Sequence, residues 1–176
     1  NDNAIAIGNG ASATDERAVA IGYESDATAI GSQSIGLQAK ATANYSIAQG
    51  TNATAKGSAS IAIGFDSNAS DIDAIAIGFE ANASSNSSTA IGRSSSATAK
   101  YGTSLGANSS SEGLRSTAVG FLSKSSENDS SAFGSQAQAT GVESTAVGVS
   151  STASADQSTA IGSNSRASQS GAIAVG

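Results

Sequence analysis

Apolar residues recur along this chain in short alternating tracts that share one register. Ile5-Ala6-Ile7, Val19-Ala20-Ile21, Ile61-Ala62-Ile63 and Ile75-Ala76-Ile77 each run directly into a glycine. Stepping by 14 residues visits Gly8, Gly22, Gly36, Gly50, Gly64, Gly78, Gly92, Gly106, Gly120, Gly134, Gly148, Gly162 and Gly176, with no insertion or deletion on the way. The residue before each ladder glycine is aliphatic or Phe, except Gln49. Two before stands Ala, replaced only by Ser34 and Ser104. Three before stands Ile, Val or Thr, except Gln33 and Ser131. Three and five residues after the glycine stand Ala or Ser, as in Ala11 and Ala13, or Ala81 and Ala83.

Both tracts alternate with period two, which is the signature of a strand. A strict repeat of this length is the signature of a stacked solenoid. The unit has room for two strands of about five residues and two turns of about two. That predicts an all-β, two-sided parallel β-roll of 14-residue rungs. Each strand would lie over its copy in the next rung, about 4.8 Å away. One inserted residue would move every later column to the wrong face. The reading places the aliphatic columns inside, against Ala and Ser of the opposite strand. It turns the small residue two before the glycine outward, where backbones of neighbouring rolls could approach. The ladder glycine takes a turn conformation closed to residues with a Cβ. Gly57, Gly113 and Gly141, seven after a ladder glycine, mark the opposite turn. A thin roll buries little apolar surface for the chain it orders, so rolls are expected to associate side by side.

Composition narrows the function. The 176 residues contain no His, Cys, Pro, Met or Trp, three Tyr and four Phe. Without Cys there is no disulfide or thiolate metal site, and without His the usual general base and metal ligand are missing. Net charge is −6, with the charges scattered. Neither nucleic acid nor an anionic membrane is an expected partner, since both select clusters of Lys and Arg. No apolar run is long enough to cross a membrane as a helix. The sequence begins at Asn1 and carries no signal peptide, and is read as a fragment of a longer fibrous protein, residues 1–176 forming a single repetitive domain.

No catalytic, cofactor-binding or metal residue is assigned. Glu16, Asp26, Asp66 and Glu80 fall in turns or outward positions, where solvated carboxylates are ordinary. The Gly-x-Ser-x-Gly element of serine hydrolases is absent, as is the nine-residue calcium-binding repeat. Asp71 and Asp73 read as a solvated pair. One column is mixed: the residue after the ladder glycine is Tyr23, Leu37, Phe65, Phe79, Phe121 or Val149 in half the rungs and polar or small elsewhere. The favoured reading packs these side chains over a roll edge or a neighbouring chain. The rarer one makes Tyr23, Phe65, Phe79 and Phe121 a contact stripe for a ligand. Gln33 and Gln49 interrupt core columns in consecutive rungs and are expected to share a buried hydrogen bond. The glycosylation sequons at Asn52 and Asn68 follow from the repeat template itself.

The tracts Ala74-Ile75-Ala76-Ile77-Gly78 with Ala81 and Ala83, Ser116-Thr117-Ala118-Val119-Gly120 with Ser123, and Ser60-Ile61-Ala62-Ile63-Gly64 with Ser67, Ala69 and Ser70 carry a family resemblance. They resemble the YadA-like head repeat of trimeric autotransporter adhesins, over essentially the whole chain. The resemblance implies a left-handed roll and a homotrimer; that the chain is no enzyme is expected from its missing His, Cys and hydrolase motif. It implies a place on a bacterial cell surface, anchored in the outer membrane through C-terminal regions absent here. It also implies adhesion to host extracellular matrix, cells or abiotic surfaces. No cofactor and no direct membrane contact follow for this fragment. The Asn that opens the family motif is mostly missing, and Thr replaces Val at Thr89, Thr103, Thr117, Thr145 and Thr159, so a ligand tied to that motif is not carried over. The main rival is an ice-binding solenoid with Thr14, Thr28, Thr42, Thr98 and Thr140 in one column, against which Lys56 and Glu112 count. A hexapeptide-repeat acyltransferase is set aside, because its period and its His are both missing.

Overall fold

The computed structural model describes residues 3–176. The chain divides into two compact units, Asn1–Ser87 and Ser88–Gly176. In the first, the three-residue strands Ile5–Ile7, Val19–Ile21, Gln33–Ile35, Ile47–Gln49, Ile61–Ile63 and Ile75–Ile77 stack in sequence order as one parallel sheet. The two-residue strands Ser12–Ala13, Asp26–Ala27, Lys40–Ala41, Thr54–Ala55, Asn68–Ala69 and Asn82–Ala83 stack as a second. The second unit repeats the plan. Its three-residue strands run from Thr89–Ile91 to Ile173–Val175, and its two-residue strands from Ser96–Ala97 to Arg166–Ala167. Every pairing joins residue i to i+14, as in Ile61↔Ile75 and Thr145↔Thr159. The protein is an all-β parallel solenoid with two strands per 14-residue rung.

The turns have a shorter period than the rung. Every seventh residue from Asn3 to Gly171 has a positive φ, between 50° and 72°. From Gly10 on these residues stand third in β-turns closed by backbone bonds such as Ala11 N–H to Gly8 O (3.2 Å) or Ala18 N–H to Asp15 O (3.2 Å). A positive φ at this position is the mark of a type II turn. Gly10, Gly31 and Gly171 occupy it, but elsewhere it holds Asn, Asp, Glu, Gln, Ser, Arg, Tyr, Ala or Leu. Val, Ile and Thr never occur there, as expected where a branched Cβ makes the left-handed region most costly. Each rung is thus two seven-residue half-turns.

The interior overturns one expectation. Ala20, Ala48, Ala62 and Ala76, two before the ladder glycine, are fully buried, and so are Ser34 and Ser104. The aliphatic residues on either side point outward, and Ile5, Ile7, Ile91, Phe133, Val147 and Ile161 are exposed. Ala and Ser from both sheets meet inside, and among the described residues no fully buried side chain is larger than Ser. Two tight turns per rung hold the sheets so close that only side chains of one or two heavy atoms fit between them. Alternation told which residues share a face, and the small faces are the ones that close on each other.

Serine serves the interior because its hydroxyl finds a local partner. At the exit of a turn it donates to the carbonyl three residues back: Ser67 Oγ to Gly64 O (3.0 Å), Ser95 to Gly92 O (2.9 Å), Ser151 to Gly148 O (2.9 Å). Others bridge the two sheets, as Ser34 Oγ does to Ala39 O (2.7 Å). Buried hydroxyls are tolerated on this condition. Ser60 is the exception among the described residues, with a buried Oγ that has no partner.

Candidate functional site

With the interior built from small residues, the larger side chains are all delivered to the surface. The three-residue strands present two columns outward, one and three residues before the ladder glycine. They hold Ile, Val, Leu, Phe and Thr, two Gln, one Ser, and no charged residue. Most are half-buried by their stacked neighbours; Phe133 is 41% exposed and Ile161 43%. The two-residue strands present the opposite chemistry. Asp26, Lys40, Thr54, Asn68 and Asn82 line the outside in the first unit, and Lys124, Gln138, Thr152 and Arg166 in the second. Each unit therefore has one uncharged face, largely aliphatic in the first unit and mixed aliphatic and hydroxyl in the second, and one polar face.

The four contact-stripe residues sit at the first turn position after the ladder glycine, all exposed. Phe65 and Phe79, in adjacent rungs, stack with ring centroids 5.2 Å apart and planes 11° from parallel. Tyr23 occupies the equivalent turn earlier in the same unit, and Phe121 the equivalent turn of the second unit, beside the exposed Leu122. Glu24, next to Tyr23, accepts a hydrogen bond from Gln38 Nε2 (2.8 Å). That bond, with a second from Tyr23, holds the Glu24 carboxyl below its usual range, and the same contact raises the Tyr23 hydroxyl.

Gln33 and Gln49 depart from expectation. Both amides are exposed on the aliphatic face and do not bond each other. Gln33 lies between Val19 and Ile47 in its column, and Gln49 between Ile35 and Ile63. The columns that hold them are the outer surface and not the core. Sequence reasoning missed the aliphatic face as a surface, yet a signal was present. The columns with strict small size are interior, and the columns that tolerate Gln, Thr, Leu and Phe are exterior.

Little in this arrangement resembles a reaction centre. The second unit carries an open groove lined by Leu122, Gln136, Gln138, Ser150, Thr152, Asn164 and Arg166, and it holds no carboxylate. Among the described residues no group of three or more acidic, His or Cys side chains converges as a metal site would. What the units offer is long, flat, repetitive surface.

Successive segments of the chain, residues 1–25, 27–53, 55–81, 83–109, 111–137, 139–165 and 156–176, match the YadA head domain repeat, described as two copies per match. The chain belongs to the YadA head-repeat family. All but the last of these YadA-type matches span about two rungs, in keeping with that description. Among solved structures, the collagen-binding domain of the Yersinia adhesin YadA is similar, at 24% identity and a TM-score of 0.48, covering 100% of this chain and 82% of that one. No curated protein matches the sequence.

Proposed function

We propose that this YadA-type chain is the head of a bacterial surface adhesin. It would assemble as a homotrimer of left-handed rolls and bind through broad repetitive faces without catalysis. The observation that carries the assembly is the uncharged aliphatic face. An acidic chain gains from burying a face that carries no charge, and half-exposed Ile, Val and Phe columns are what a self-association surface leaves open in one copy. The aliphatic faces would meet at the trimer axis, and the polar faces would point outward to a partner. Residues 1–176 would act as one head domain, held at the outer membrane through further C-terminal regions. The targets proposed are host extracellular matrix, cell or abiotic surfaces, where weak contacts repeated along three chains gain avidity. The ladder glycines have a structural role in this reading. Tyr23, Phe65, Phe79 and Phe121 would pack toward a neighbouring chain or line the ligand-facing edge.

Sedimentation equilibrium tests the assembly. A species at three times 16.9 kDa is expected, and a folded monomer at every concentration would end the trimer reading. Binding of that species to immobilised matrix proteins and to plastic then tests adhesion. Replacing Phe65 and Phe79 by Ser separates the two roles of the stripe, since loss of mass means packing and loss of binding at constant mass means ligand contact. One feature favours the ice-binding alternative: Thr14, Thr28 and Thr42 are consecutive in their column and all exposed. Lys56 is exposed in the same column, and absence of thermal hysteresis in dilute protein would dispose of it.

A further inference from the structure

Repetition creates a problem for assembly. With every rung 14 residues long and aliphatic columns nearly uniform, a copy displaced along its neighbour by one rung sets Ile against Ile almost as well as before. The aliphatic contacts of the first unit therefore do little to choose the axial register. Only rungs that break the pattern can choose it. In the first unit the outward columns are aliphatic at Ile5, Val19, Ile47, Ile61 and Ile75, and at Ile7, Ile21, Ile35, Ile63 and Ile77. Gln33 and Gln49 are the two interruptions, and they fall in adjacent rungs.

Both amides are exposed in one copy and flanked by Ile or Val above and below. Resting on the trimer reading, we propose that Gln33 and Gln49 form a register lock, in which every amide of one copy meets amides of the others only when all copies are aligned rung for rung. An amide offers both donor and acceptor, so like can pair with like around a threefold axis. A one-rung slip lets Gln33 of one copy meet Gln49 of the next, but it strands two amides: Gln49 of the first copy lies level with Ile61–Ile63, and Gln33 of the next with Val19–Ile21. Each of those amides then loses water and gains no partner, a penalty that an apolar pair never meets. A single polar position fixes the alignment of coiled coils on the same logic. The ligand is thus a second copy of this chain, and in the first unit the information lies in two side chains.

The chain has no Cys, so single cysteines report the register cleanly. One batch carries Ile63→Cys and another Ile77→Cys; the two are unfolded together, refolded and oxidised. In the otherwise unaltered sequence, disulfides between like positions should exceed 63–77 disulfides by about tenfold or more, as expected for amides stripped of partners. With Gln33→Ile and Gln49→Ile added, the trimer mass should persist while the ratio falls toward one. A second variant moves the pair instead of deleting it: Gln33→Ile, Ile47→Gln, Gln49→Ile and Ile63→Gln together, with Ile77→Cys. Mixed with chains that carry only Ile63→Cys, it should form 63–77 disulfides in preference. Like-position disulfides that persist without the glutamines, or a moved pair that fails to shift the register, would overturn the proposal while leaving the trimer standing. A monomeric parent chain would instead overturn the trimer reading on which it rests.

Discussion

At Gly64 an added Cβ would lie 2.4 Å from the carbonyl oxygen of Gly78, on a backbone with φ of +129°. Both the neighbouring rung and the local conformation exclude a side chain there. Gly64→Ala is expected to cost at least about 2–3 kcal/mol, read as a lowered thermal midpoint. The left-handed turn positions run the other way. Ala59 has φ of +56° with no side-chain gain to offset it, so Ala59→Gly should stabilise by about 0.5–1 kcal/mol in a denaturant titration. Ser60, beside it, is fully buried with an unsatisfied hydroxyl. Removing a buried polar atom that has no partner relieves its desolvation, so Ser60→Ala should be neutral or stabilising by about 1 kcal/mol. Ser67→Ala removes a made bond to Gly64 O and should be the more harmful of the two in the same titration.

A strand of two or three residues has no stability of its own, and each one here is held by the copies above and below. Side chains extend the backbone ladder across rungs. Asn68 Nδ2 donates to Asn82 Oδ1 (2.8 Å), and Asn128 Oδ1 and Asp156 Oδ1 accept from the backbone N–H groups of Leu114 and Val142 (both 3.0 Å). Arg115 Nε donates to Asp129 Oδ1 at 2.6 Å, a charged link between rungs. It lowers the Asp129 carboxyl, first by hydrogen bonding and then by charge, and raises the Arg115 guanidinium. A depressed carboxyl contributes stability above its unfolded value and loses it as pH falls through its folded value. Asp129 should therefore titrate below an ordinary Asp by NMR and return to the ordinary range in Arg115→Gln. Both groups are exposed, so the effect on stability is small. Overfilling the interior is another matter: Ala62→Leu forces a branched side chain between two sheets that admit nothing above Ser, and should cost about 1–3 kcal/mol or more.

For the molecule as a whole, the net charge of −6 and the charge-free aliphatic faces pull in opposite directions. Association through those faces should tighten as salt screens the acidic remainder. The oligomer is expected to survive high ionic strength and to dissociate when a carboxylate enters the face. Ile63→Asp should return the mass to that of one chain while circular dichroism still reports β structure. An Ile63→Asp chain that still sediments as a trimer would place the interface elsewhere.

The sequence by itself determined the period, the order of two strands per rung and the stacking register, because a 14-residue ladder of glycines allows only one alignment of rung on rung; the strands are three and two residues long where alternation suggested about five, because the turns take the rest. It also determined which side chains share a face, since alternation in a strand is geometric. Ile61 and Ile63 had to lie on one side and Ala62 on the other. Only the tertiary structure decided which side was inside. That choice depends on the distance between the two sheets, which the tight turns set and no single strand records. The exclusion of everything larger than Ser from the interior and the surface position of Gln33 and Gln49 both follow from that distance, which the left-handed turn residues at every seventh position set. Ile63 is outside for the same reason that Ala62 is inside: two sheets this close leave no room for a branched side chain between them.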